Sequence, residues 1–139
     1  MSYDLMVFEP SAAPRDPKAF LAWYDEQTEW TEGHGYHDPS VTSPALRAFF
    51  LEMIQTFPAL NGPYANDEHD DPRSTDYAVG KHVIYAAFSW SQMEPAFRTM
   101  VALARRHDVG FFDVSDTDGA IVFPGEYDGF SKFTAADAR

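Results

Sequence analysis

A chain of 139 residues, 45% hydrophobic and 16% aromatic, has the composition of one globular domain rather than of a disordered or fibrous polymer. The absence of cysteine excludes disulfide staples, thiolate zinc sites and thiol nucleophiles, and fits a reducing compartment. Twenty-two acidic against ten basic residues give a formal net charge of -12, which repels nucleic-acid phosphates and anionic membranes and draws cationic partners.

The first residues, MSYDLMVFEP, lack a basic region followed by a long apolar run, and nowhere do about eighteen apolar residues occur together. The expectation is a cytoplasmic protein without a signal peptide or a spanning helix. YDLMVF, Tyr3 to Phe8, is short and apolar on both faces and is closed by Glu9-Pro10, as in a buried strand. Asp16 followed by Pro17 predicts a helix start, with Asp16 as N-cap and Pro17 at the first helical position. Phe20, Trp23, Tyr24 and Gln27 keep helical spacing, and Gly33 and Gly35 are expected to end this helix.

A second helix opens at Ser43-Pro44 and runs to Phe57, where Pro58 stops it. Its apolar residues Leu46, Phe49, Phe50, Met53 and Phe57 form one stripe. Residues 61–74 read as a loop with a solvated acidic tip, NDEHDDP. TDYAVGKHVIYAAFSW predicts a hairpin turning at Gly80-Lys81, with Gly80 supplying positive φ. The arm from His82 to Trp90 is apolar on both faces and marks a central strand. Ser91 and Glu94 suggest a capping box for a third helix running to His107, lined by Met93, Phe97, Met100, Val101 and Ala104, and Gly110 is expected to end it. FFDVS and AIVF form a last hairpin around DTDG, and 129–139 reads as a frayed tail.

The order β-α-α-β-β-α-β-β makes residues 1–139 a single α+β domain: a mostly antiparallel sheet of about five strands, with three helices on one face. The connection through the third helix suits a split βαβ crossover. Strand order does not follow from the sequence.

Three functional readings compete over QTEWTEGHGYHDP, Gln27 to Pro39. The first is a metal site: His34 and His37 beside Asp38, joined by His69 or Asp70 from the acidic loop, have the donor chemistry for zinc, manganese or iron. Against it, the two histidines lie in a glycine-broken loop with nothing local to fix them, so no metal or other cofactor is expected. The second is catalysis by His69 among its carboxylates, or by Ser89, Ser91 and His82 near one strand. There is no nucleophile elbow or phosphate loop, and His82 reads as structural. Asp113, flanked by apolar residues, is expected to face solvent while Phe112 and Val114 point inward.

The third is an acidic face. Asp25, Glu29 and Glu32 stand at i, i+4 and i+7 along the expected end of the first helix, where carboxylates oppose its dipole. Trp30 and Tyr36 lie among them as aromatic anchors. Asp67, Glu68, Asp70 and Asp71 add a second acidic segment. Together these nine residues are the candidate contacts for a basic protein partner, with no nucleic acid or membrane involved. The doubly apolar sheet also raises a homodimer in which a second copy covers one face.

The strings YDLMVFEP, SPALRAFFLEMI, DYAVGKHVIYAAFSWSQ and HDVGFFDVS, spread from Tyr3 to Phe123, resemble a small family of uncharacterised bacterial proteins. That resemblance implies no catalytic residues. In size, acidity and α+β pattern the chain is similar to immunity proteins encoded beside polymorphic toxins, which implies an inhibitor that binds a basic toxin domain.

Overall fold

The computed structural model describes residues 1–65 and 70–130. Strands β1 (Tyr3–Phe8), β2 (Asp76–Val79), β3 (Val83–Phe88), β4 (Gly110–Phe112) and β5 (Ile121–Val122) form one antiparallel sheet in the order β2-β3-β1-β4-β5. Helices α1 (Pro17–Gln27), α2 (Pro44–Met53) and α3 (Met93–Arg106) complete the α+β architecture. Both β3 and β4 are antiparallel to β1, so they are parallel to each other with β1 between them, and α3 links them as a split βαβ unit. β1 and β2 stand in the same relation across β3. Two interleaved split units are the topology of ferredoxin-like β-α-β-β-α-β folds, here with α1 inserted after β1 and β5 added at the edge.

The alternation of β1 sorts the core. Tyr3, Leu5 and Val7 face one way and pack with Ile84, Ala86 and Phe88 of β3 under α2 and α3. Met6 and Phe8 face the other way, with Val83, Phe112 and Phe123, and are covered by Phe20, Trp23 and Tyr24 of α1. The helices therefore occupy both faces, not one. A strand apolar on both sides needs two covers, and α1 is the second. This also removes the reason for a second copy on the sheet, because the chain covers both faces itself.

Local chemistry accounts for most helix boundaries. Asp16 caps α1 by accepting from the Ala19 N–H at 2.9 Å, with Pro17 at its first turn. Ser43 caps α2 in the same way through Leu46, and Leu46, Phe49, Phe50, Met53 and Phe57 are all fully buried. The helix itself closes at Met53, and turn bonds carry the chain on to Phe57. The expected capping box at Ser91 is absent: a 3-10 turn over Trp90–Gln92 precedes α3, and its N-cap Gln92 makes no side-chain cap bond. Beyond α3 the chain turns at Asp108, whose φ is 56°, and Gly110 opens β4 instead of ending the helix.

Gly110 has a packing duty: a Cβ there would lie 2.2 Å from the Phe8 ring. Gly80 does not take positive φ. The Gly80 N–H bonds the Val83 carbonyl at 2.8 Å, so the hairpin turns at Lys81-His82. His82 is exposed on that turn, where its carbonyl receives the Glu9 N–H at 2.8 Å. Among the described residues no helix is long and apolar enough to cross a membrane.

Candidate binding face

α1 stops at Gln27, earlier than glycine positions alone suggest. The Thr28 hydroxyl donates back to the Tyr24 carbonyl at 2.9 Å, closing the helix. Trp30 then takes a left-handed φ of 55°, which redirects the chain. Glu29 and Glu32 are therefore not on the helix, and the expected i, i+4, i+7 stripe does not form. Asp25 keeps its place in the last helical turn, beside Glu26 and without a basic residue in that turn.

The residues after Trp30 form a strap over the β2–β3 hairpin. The Tyr36 carbonyl accepts from the Val79 N–H at 2.7 Å, and the His37 Nδ1 donates to the Tyr77 carbonyl at 3.3 Å. Residues 58–60 take the next positions along that strand, through Thr75 N–H to the Pro58 carbonyl and Leu60 N–H to the Thr75 carbonyl. The outer edge of β2 is thus largely occupied from within the chain, which blunts it against pairing with another strand. Trp30 and Tyr36 are half-buried and pack edge-to-face at 5.1 Å, with Trp30 also on Tyr85 at 6.2 Å. They hold the strap down.

Glu32 belongs to the same device. Its Oε1 accepts from the Lys81 N–H at 3.0 Å and from His34 Nε2 at 2.6 Å, while its own N–H donates to the Tyr36 hydroxyl at 2.6 Å. Its side chain is 19% exposed. Asp25 and Glu26 of α1 and Glu29 just beyond it are exposed, and Leu21, one turn before Asp25, is itself 47% exposed. Among the described residues no base lies within ion-pair distance of these three acids. Several bases are engaged elsewhere: Arg98 with Glu94, Arg105 with Asp128, Arg106 with Glu52, and Arg47 with the carbonyls of Pro39, Ser40 and Thr42.

The second acidic segment contributes less than expected. Asp67, Glu68 and His69 lie outside the described residues. Asp70 is exposed, and Asp71 is committed to a turn, accepting from the Arg73 N–H at 2.9 Å. Arg73 lies over the Phe57 ring at 5.0 Å.

Among the described residues, His34 and His37 are bound to different partners. His34 is held by Glu32 and Gly35, and His37 turns to Tyr77. Asp38 caps the 3-10 turn Pro39–Val41, and its bonds to Ser40 hold its carboxyl below the usual carboxylate range. Among the described residues no group of three potential ligands is arranged for a metal. Ser89 and Ser91 lie past one end of β3 and His82 lies before the other, so they form no catalytic set.

Asp113 is fully buried, contrary to expectation. Phe112 faces α1, so the next residue faces α2 and α3, and neither side of this strand is open to solvent. Its charge, after burial, is a further reason why the Tyr3 hydroxyl titrates far above the usual phenol range.

One polar cluster escaped the sequence reading. The Tyr85 hydroxyl donates to Asp4 Oδ2, Ser2 Oγ donates to Asp4 Oδ1 at 2.6 Å, and the Asp4 N–H donates to Ser115 Oγ at 2.7 Å. Burial, followed by the bond to Asp4, pushes the Tyr85 phenol far up. The available signal was a lone carboxylate within the apolar strand YDLMVF. The cluster ties β1 to β3 and to the 113–116 turn. No protein-family model, curated protein or solved structure matches this chain.

Proposed function

We propose that this protein is a non-enzymatic acidic binding protein of the cytoplasm that docks a basic protein partner, in the manner of immunity or antitoxin-like inhibitors. One observation carries the reading. Asp25 and Glu26 in the last turn of α1 and Glu29 just past it are exposed, Leu21 one turn before Asp25 is exposed as well, and no described base forms an ion pair with the three acids. The C-terminus of a helix is partly negative, so each carboxylate there opposes the dipole by a few tenths of a kcal/mol. Folding is not served by that placement. A cationic surface is: long-range attraction speeds encounter, and an exposed apolar side chain on the same helix supplies a desolvated centre for the contact. Inhibition follows by occlusion, with α1 seated over a basic cleft.

The test separates carboxylates kept for a partner from carboxylates kept for the fold. The variant Asp25→Asn/Glu26→Gln/Glu29→Gln is expected to melt at the wild-type temperature or slightly above it. Glu32→Gln, which disturbs the strap, is expected to melt lower. A triple variant that melts markedly lower overturns the assignment of these residues to a binding face.

A further inference from the structure

One of the strap's fastenings is an ionisable pair. The His34 ring presents Nε2 to Glu32 Oε1 at 2.6 Å and Nδ1 to the Gly35 carbonyl at 2.8 Å. A carboxylate and a carbonyl are both acceptors. A neutral imidazole has one N–H and serves only one of them, whereas the imidazolium donates to both. The ring is largely covered, with its side chain 17% exposed, and it packs on Tyr36 at 4.6 Å. The charged and titratable groups facing it are Glu32 and Tyr36 from its own segment and Lys81 from the hairpin turn. The Gly35 carbonyl first, and then the Glu32 carboxylate, hold its titration above the ordinary value of 6.5, with burial and Lys81 opposing.

The same Glu32 oxygen also receives the Lys81 N–H, so the pair joins the strap to the hairpin. Within the strap, Trp30 sits in a left-handed backbone that a bulky side chain adopts only when its surroundings impose it. Strained backbone beside a titratable fastener is the arrangement of a switch.

We propose that Glu32 and His34 form a pH-operated clasp: the imidazolium tightens residues 28–38 on the β2–β3 hairpin, and loss of its proton removes one of the two ring bonds and loosens the Glu32–Lys81 bond and the Trp30 backbone beside it. The clasp is a property of the free protein and does not rest on the binding reading. Its direction follows from linkage. The folded value lies above the unfolded one, so the stabilisation is complete below about 6.5 and is lost as the pH rises through the folded value. The clasp closes in acid and opens towards alkaline pH.

Nuclear magnetic resonance on the isotopically labelled full chain tests this without any ligand. Across a titration from mildly acidic to alkaline pH, the His34 ring is expected to titrate with a midpoint above 6.5. The Trp30 indole and Lys81 amide signals should follow the same curve, with the Lys81 amide lost to solvent exchange above it. In Glu32→Gln the His34 midpoint should fall back towards 6.5. In His34→Gln the Trp30 and Lys81 transitions should disappear. The wild-type co-titration requires no variant, so it decides the matter even if a variant fails to fold. A His34 midpoint at or below 6.5, or Trp30 and Lys81 signals that stay flat through it, overturns the proposal, as does a transition that persists in His34→Gln.

Discussion

Gly110→Ala is the sharpest perturbation the packing allows, because one methyl group meets an immovable ring. The added Cβ would lie 2.2 Å from Cε2 and Cζ of Phe8 and 2.7 Å from its Cδ2. Ordinary carbon contacts are about 3.5–4.0 Å, so the ring must retreat by about 1.3 Å or more. It has nowhere to go: Phe8 is fully buried, with Phe20 at 5.0 Å, Phe123 at 5.2 Å and Trp23 at 6.1 Å, all edge-on. The alternative is to part β1 from β4 at the Phe8–Gly110 pair, which strains the ladder that joins the two halves of the sheet. Overpacking of this kind costs about 1–3 kcal/mol and sometimes more, and the enclosure places this case at about 3. In urea, with a denaturant dependence of about 1–3 kcal/mol per molar, the unfolding midpoint should fall by about 1–3 M. Gly129→Ala is the control, since nothing lies within 4 Å of its Cβ and its φ is not positive, and it should stay within about 0.5 kcal/mol of wild type. Phe8→Leu in the Gly110→Ala background should recover part of the loss, a coupling expected only between residues in contact. A Gly110→Ala loss below about 1 kcal/mol would refute the reasoning, because it would mean that Phe8 is not fixed by its aromatic neighbours.

Phe50→Ala removes a fully buried ring that packs on Tyr77 at 5.2 Å and should cost about 3–5 kcal/mol in the same urea assay. Asp16→Ala deletes the α1 cap and should cost about 1 kcal/mol, read as a lower melting temperature, with Asp16→Asn close to wild type. The bond from His107, with Arg106 adding to it, holds the Glu52 carboxyl below its ordinary 4.5 and ties α2 to the end of α3. That contribution is present above 4.5 and is lost as the pH falls through the folded value, so acid unfolding of Glu52→Gln should show a shallower pH dependence than wild type.

The elements that were legible in the sequence are those whose causes are local. Asp16-Pro17 contains its own capping geometry, Tyr3–Phe8 its two apolar faces, and Leu46 to Phe57 its stripe. What was not legible depends on partners far along the chain. The side of the sheet that α1 covers is decided by Met6, Phe8, Phe112 and Phe123 meeting Phe20, and spacing within α1 says nothing of it. Glu32 looked like the end of an acidic stripe because helical periodicity was extended past Gln27. Its true partner, the Lys81 amide, lies 49 residues away in sequence. Asp113 reads as solvent-facing only if its strand has a wet side, and here both sides are covered. Of the candidate acids, Asp25 and Glu29 keep an exposed setting and Glu26 joins them, whereas Glu32 is drawn into the strap.

The binding reading is tested most directly by association kinetics with the purified basic product of a gene adjacent to its own. Wild type and Asp25→Asn/Glu26→Gln/Glu29→Gln would be compared across a salt series. Surface carboxylates that steer a partner act on the association rate, and screening weakens them as the Debye length shrinks from about 10 Å at 0.1 M to about 3 Å at 1 M. The account predicts fast, strongly salt-dependent association for wild type, and slower association with a flattened salt dependence for the variant. Equal rates at low salt, or a salt dependence unchanged by the three substitutions, would contradict it.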